Sequence, residues 1–169
     1  MNLENLKVLT KEQILTKAQN LTEGDVQLLV DALSEKDDKI RYHAFLLLES
    51  HSRIQPSVYN YWSVLVNKLG SDNSYQRSLG IMLLAENVRW DKEAKFRSVI
   101  EKYFACCTDE KFITSRQAIQ GLGAIKEATD DYNDEIERRL KSLDLSMYKE
   151  TQQKLLRKDI TGVLESTKK

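Results

Sequence analysis

The chain has 169 residues, 26 basic and 26 acidic side chains, a formal net charge of zero and 41% hydrophobic content. That composition supplies a buried core for a single domain. It disfavours a protein whose affinity rests on non-specific neutralisation of phosphates, which needs an excess of clustered Lys and Arg.

One proline, Pro56, and six glycines leave few helix breakers. The first residues, MNLENLKVLTKEQ, lack a basic segment followed by an apolar run, so no secretion signal is expected. No stretch reaches the ~18 apolar residues of a membrane span, and a cytoplasmic protein is the default. Met1 to Leu9 is expected to fray. Thr10 and Gln13 make a capping box for a short helix to about Asn20. Thr22 caps the next helix, with Glu23 and Asp25 in its first turn, where the helix dipole favours negative charge. Its partner starts near Asp37 or Asp38 and runs to about His51, with Ile40, Ala44, Leu47 and Leu48 at helical spacing.

Pro56 fits the first turn of a helix to about Leu69. Gly70-Ser71-Asp72 then stops that helix and caps one over Asn73–Asn87. Asp91 is expected to cap a helix to about Cys107, and Asp109 its partner, to about Glu127. Thr129–Asn133 reads as a polar turn. The last pair is expected over Asp134–Leu143 and Ser146–Ser166, with Leu156, Ile160, Val163 and Leu164 on the buried face of the closing helix.

These helices repeat. Val26, Leu29, Val30 and Leu33 recur as Trp62, Leu65, Val66 and Leu69, then as Ile100, Tyr103, Phe104 and Cys107, and last as Ile136, Arg139, Leu140 and Leu143. The offsets are 36, 38 and 36 residues, a period typical of stacked helix pairs. Arg139 is the one polar residue in these slots, which marks the last copy as a cap. The second helices repeat through Ala44, Gly80 and Ala118 and through Leu48, Leu84 and Leu122. Gly80 costs a helix roughly 1 kcal/mol against alanine, so close packing of the pair is the expected compensation. Gly121 and Gly123 suggest a bend. The fold expected is all-α: a right-handed α-α superhelix, or solenoid, of about four helix pairs spanning 22-51, 56-87, 91-127 and 131-166, after a short N-terminal helix.

The segments LVDALSEKDDKIRYHAFLLL, LVNKLGSDNSYQRSLGIMLL and YFACCTDEKFITSRQAIQGLGAI resemble HEAT repeats. Asp38 with Arg41, Asp72 with Arg77, and Asp109 with Arg116 look like the aspartate and arginine positions of that family. The resemblance implies the fold, since HEAT-like chains serve many functions. The repeated helix pairs, zero net charge and lack of a catalytic constellation make a non-catalytic scaffold or adaptor, binding a protein or peptide on a concave face, the leading expectation. The partner-binding candidates are Arg41, Tyr42, Tyr75, Arg77, Arg89, Trp90 and Arg116. For the arginines, a structural ladder with the aspartates of their own or neighbouring turns is the favoured reading and ligand binding the other, and Trp62 reads as core.

His43 and His51 belong to no metal or triad spacing. Cys106 and Cys107 are adjacent, without a metal-ligand spacing, and read as buried thiols. No cofactor and no metal are expected. The alternative is a nucleic-acid-binding protein resembling HEAT-like alkylpurine DNA glycosylases. It would use Trp90, Arg77, Arg116 and an acid such as Asp91 or Glu86. The charge distribution motivates it, since Ile136–Lys169 carries nine basic and five acidic residues. Self-association through the apolar stripe of the last helix is a third possibility.

Overall fold

The computed structural model describes residues 1–169 as helices and connecting turns, without a β-strand. The α-helices are α1 (Leu3–Leu6), α2 (Lys11–Ala18), α3 (Glu23–Ala32), α4 (Asp38–Ser52), α5 (Trp62–Lys68), α6 (Ser74–Asn87), α7 (Phe96–Ala105), α8 (Phe112–Ala128), α9 (Asn133–Lys141) and α10 (Glu150–Leu164). Short 3-10 turns at Ser57–Tyr61, Val88–Trp90 and Cys106–Thr108 adjoin α5, α6 and α7.

The helix starts follow local chemistry. Thr10 and Thr22 form capping boxes with Gln13 and Asp25. Asp37 and Asn73 cap α4 and α6 by accepting two backbone N–H groups each. Asp91 does cap α7, but from further away than expected. It accepts the N–H of Lys95 at 2.9 Å and of Phe96 at 2.8 Å, and also the Tyr59 hydroxyl at 2.6 Å. The chain between cap and helix passes through Ala94 at φ 53°, a conformation a non-glycine residue holds only when its surroundings enforce it. Other helix starts differ from expectation. Helix α5 begins at Trp62, after the 3-10 turn at Ser57–Tyr61, rather than at Pro56. Helix α8 starts at Phe112 without a side-chain cap, because Asp109 accepts the Lys111 N–H ahead of it. Residues 3–6 form a helix because Asn2 caps it and Leu6 is driven into the core. The last helix begins at Glu150 rather than Ser146, because Leu145 and Tyr148 turn inward and hold the connection non-helical.

The long helices α4, α6, α8 and α10 lie side by side in chain order, and α2 extends the row beyond α4. Helices α3 and α5 pack against α4 and α6 respectively. All four residues of the first and third repeated sets are buried, as are Trp62, Leu65, Leu69, Ile136 and Leu140 of the others. Ala44, Gly80 and Ala118 are buried, and so are Leu48, Leu84 and Leu122. One contiguous apolar core results, running from Leu6 to Val163. On α10, Leu156 and Val163 are buried, while Ile160 and Leu164 are only partly so.

Gly80 marks a close backbone approach of α5 to α6: a Cβ there would lie 2.8 Å from the Leu65 carbonyl oxygen and 2.8 Å from Lys68 Cβ. Gly121 makes room for the Tyr103 hydroxyl, which donates 2.8 Å to the Ala118 carbonyl. Despite Gly121 and Gly123, α8 is continuous.

Candidate functional site

Polar side chains join positions about one repeat apart. His51 Nδ1 donates to the Ala18 carbonyl at 2.7 Å, and its Nε2 meets Ser57 Oγ at 2.7 Å. Gln76 Nε2 donates to the Leu33 carbonyl at 2.8 Å while its Oε1 accepts from Lys68 Nζ at 2.6 Å. Asn87 Nδ2 donates to Ser52 Oγ at 3.0 Å. Lys126 Nζ donates to the Val163 carbonyl at 3.0 Å, closing the end of α10.

The arginine candidates belong to this set of ties. Arg41 donates to the Glu35 carbonyl at 2.8 Å, pairs with Asp38, and stacks 4.9 Å from the Tyr75 ring centroid. Arg77 grips Asp109 through two hydrogen bonds of 2.8 and 2.9 Å and donates to the Ser71 carbonyl at 2.9 Å. Arg116 does the same to Asp159 on α10, at 2.8 and 3.0 Å. Arg89 holds Glu86 at 2.7 Å, and Trp90 Nε1 donates to the Ser52 carbonyl at 2.6 Å.

Asp38 therefore pairs within its own repeat. Asp109 pairs with the arginine of the preceding repeat, and Asp72 is exposed with no ion pair. The slot shared by Arg41 and Arg77 continues not as Arg116 but as Ser115. Ser115 donates to the Cys107 carbonyl, the same kind of bond to the preceding turn, at 2.6 Å. Burial alone would raise the Asp109 carboxyl, but Arg77 and the Lys111 N–H outweigh it and hold that carboxyl below its usual range. Both cysteines are buried, and burial pushes Cys106 up to about 11, so it is a poor nucleophile at neutral pH.

Tyr42 and Tyr75 are placed differently. They line a groove of about 770 Å³ formed by α4, α6 and α8, with Gln152 of α10 at its edge. Phe45, Leu46, Leu79, Met82, Phe112 and Ile113 supply its other apolar walls. Tyr42 is 50% exposed and Ile113 59%, so these side chains stand open to solvent, whereas Phe45 and Leu79 are buried beneath them. On the floor, Ser78 Oγ and Thr114 Oγ1 are 2.9 Å apart, and Gln117 Oε1 is buried with no donor. The only carboxylate in the lining is Glu49 and the only cation Lys111. Burial raises the Glu49 carboxyl and the Glu86 charge adds to this, while Arg53 opposes it.

Of the seven candidates, the structure brings only Tyr42 and Tyr75 into this groove. A signal for the missed wall residues exists in the sequence: Leu46 and Met82 are 36 residues apart, and Tyr75 and Ile113 are 38 apart. An apolar residue that repeats outside the core set points to an exposed apolar face. The histidine, cysteine and acidic residues form no cluster suited to a metal ion. No helix is long and apolar enough to cross a membrane.

No family model matches the chain, and no curated protein matches it. Among solved structures it is similar to the crystal structure of an engineered protein from the Northeast Structural Genomics Consortium. The TM-score is 0.57 at 17% sequence identity, over 97% of this chain and 80% of that one. A likeness at that identity is one of fold, and it extends over almost the whole helical chain.

Proposed function

We propose that the chain is a HEAT-like α-solenoid of about four helix pairs that acts as a non-catalytic scaffold. Its ligand is a protein or peptide seated in the groove across α4, α6 and α8. Support for the solenoid comes from the polar ties, which join residues 33 apart at His51–Ala18 and 38 apart at Trp90–Ser52, close to the sequence period. The groove carries the functional reading: open aromatic and aliphatic walls with amides and hydroxyls between them suit protein recognition.

The nucleic-acid alternative finds less support. Arg77, Arg89 and Arg116 each spend the guanidinium on a carboxylate of the same chain, and the groove has a single cation. The exposed side of α10 carries Lys154, Arg157 and Lys158 beside Leu155. Such a face suits a solvated end better than self-association.

Site-specific photocrosslinking tests the assignment. A benzophenone amino acid replacing Ile113, in the groove, is expected to capture a protein in the native host. The same group replacing Val64 on α5 is expected to capture none there. Adducts only to nucleic acid, or equal protein capture at both positions, would overturn it.

A further inference from the structure

The groove has an electrostatic direction. Ser74 and Tyr75 open α6, Lys111 immediately precedes α8, and Gln152 stands in the first turn of α10. The edge near Lys111 therefore lies at the N-terminal ends of these three helices, where aligned peptide dipoles favour negative charge. Lys111 is exposed and makes no ion pair with any carboxylate of the chain. The Tyr42 hydroxyl stands in the same groove, half exposed and without a hydrogen bond. The one lining carboxylate, Glu49, is already held by Arg53 at 3.2 Å. Asp109, two residues before Lys111, feels its charge but is gripped by Arg77 and lies outside the lining, so the available donors have no free acidic counterpart in the groove.

From this complementarity we infer that the occupant is an acidic, apolar-anchored peptide segment of a partner protein. An aspartate or glutamate meets Lys111, and a neighbouring large apolar side chain fills the space between Leu79, Met82 and Phe112. The inference rests on the peptide-groove reading and adds the chemistry of the segment. A carboxylate reaching Lys111 gains a partner at an edge where the helix ends also favour it. A basic side chain there meets like charge, and Glu49 offers it only a carboxylate already shared with Arg53.

The probe is a displayed library of random twelve-residue peptides selected on the full chain, with binders measured by fluorescence anisotropy. Enriched peptides are expected to pair an apolar residue with Asp or Glu. They should lose binding to a Tyr42→Ala/Ile113→Ser double variant, whose substitutions fall on exposed positions. Lys111→Glu should weaken them about tenfold, and Lys111→Arg should change affinity little. Helical circular dichroism of each variant verifies the fold. Groove-dependent peptides that are basic, or indifferent to Lys111→Glu, overturn the acidic assignment and leave the groove reading standing. Failure to enrich any peptide sensitive to the double variant overturns both.

Discussion

Two glycines in comparable helical settings show how one residue type carries opposite consequences. Gly80 has α5 against it, and an added Cβ meets backbone that cannot move aside. Gly80→Ala is expected to destabilise the protein by about 1–3 kcal/mol, as overpacking does. Gly162 in α10 has nothing within 4 Å of its Cβ position. Gly162→Ala should stabilise by roughly 0.5–1 kcal/mol through helix propensity. Urea denaturation of the two variants beside the parent checks both signs. A neutral Gly80→Ala would mean that the α5–α6 approach relaxes at little cost.

At the scale of elements, the helices are joined by charge as well as by apolar packing. Arg77 and Asp109 tie α6 to the turn before α8, with side chains only 12% and 8% exposed. The Asp109 carboxyl is lowered from its usual 3.8. Its stabilisation is therefore present at pH values above 3.8 and is lost as pH falls through the lower folded-state value. Asp109→Asn should cost about 1–3 kcal/mol at neutral pH by leaving Arg77 under-paired. The deficit against the parent should shrink as the parent's own carboxyl is protonated. Denaturation midpoints of both proteins from pH 7 to pH 2 measure this, and a deficit constant across that range would contradict it. Glu49 runs the other way: its carboxyl is raised, so ionising it opposes folding as pH climbs from its usual 4.5 toward the folded-state value.

For the whole molecule, the row of long helices needs its end covered. Helix α10 packs on α8 with Leu156 and Val163 buried, and its Asp159 pairs with Arg116. Removing Glu150–Lys169 uncovers apolar surface on α8 and strands Arg116. The truncated chain is expected to melt at a lower temperature and to self-associate, as stacked arrays do when an apolar end lies open. Thermal circular dichroism and sedimentation velocity read these effects. A monomeric truncated chain with an unchanged melting temperature would show that α10 is dispensable for the rest.

Much of the helical plan was legible from local chemistry. The capping box at Thr10, the cap at Thr22, the stop at Gly70 and the repeated apolar slots act within a turn or two of chain, so spacing alone locates them. Spacing also anticipated the close approach at Gly80, since a small residue recurring on one helix face implies a neighbour near it. The distant cap by Asp91 and the inward turn of Tyr148 depend on groups from elsewhere in the chain. The candidate site was legible only in part. Tyr42 and Tyr75 stood outside the core set and do line the groove, but Phe45, Met82, Phe112 and Gln117 met them only when three helices came together.

The arginine partners were likewise a tertiary decision: sequence proximity set Asp109 beside Arg116, whereas packing placed it against Arg77. By itself, the sequence determined where the helices lie and which stripe of each is buried, because caps and periodic burial are short-range effects. Only the tertiary structure decided which charges neutralise one another and which apolar side chains remain open. Both depend on helices some 36 residues apart in sequence becoming neighbours in space.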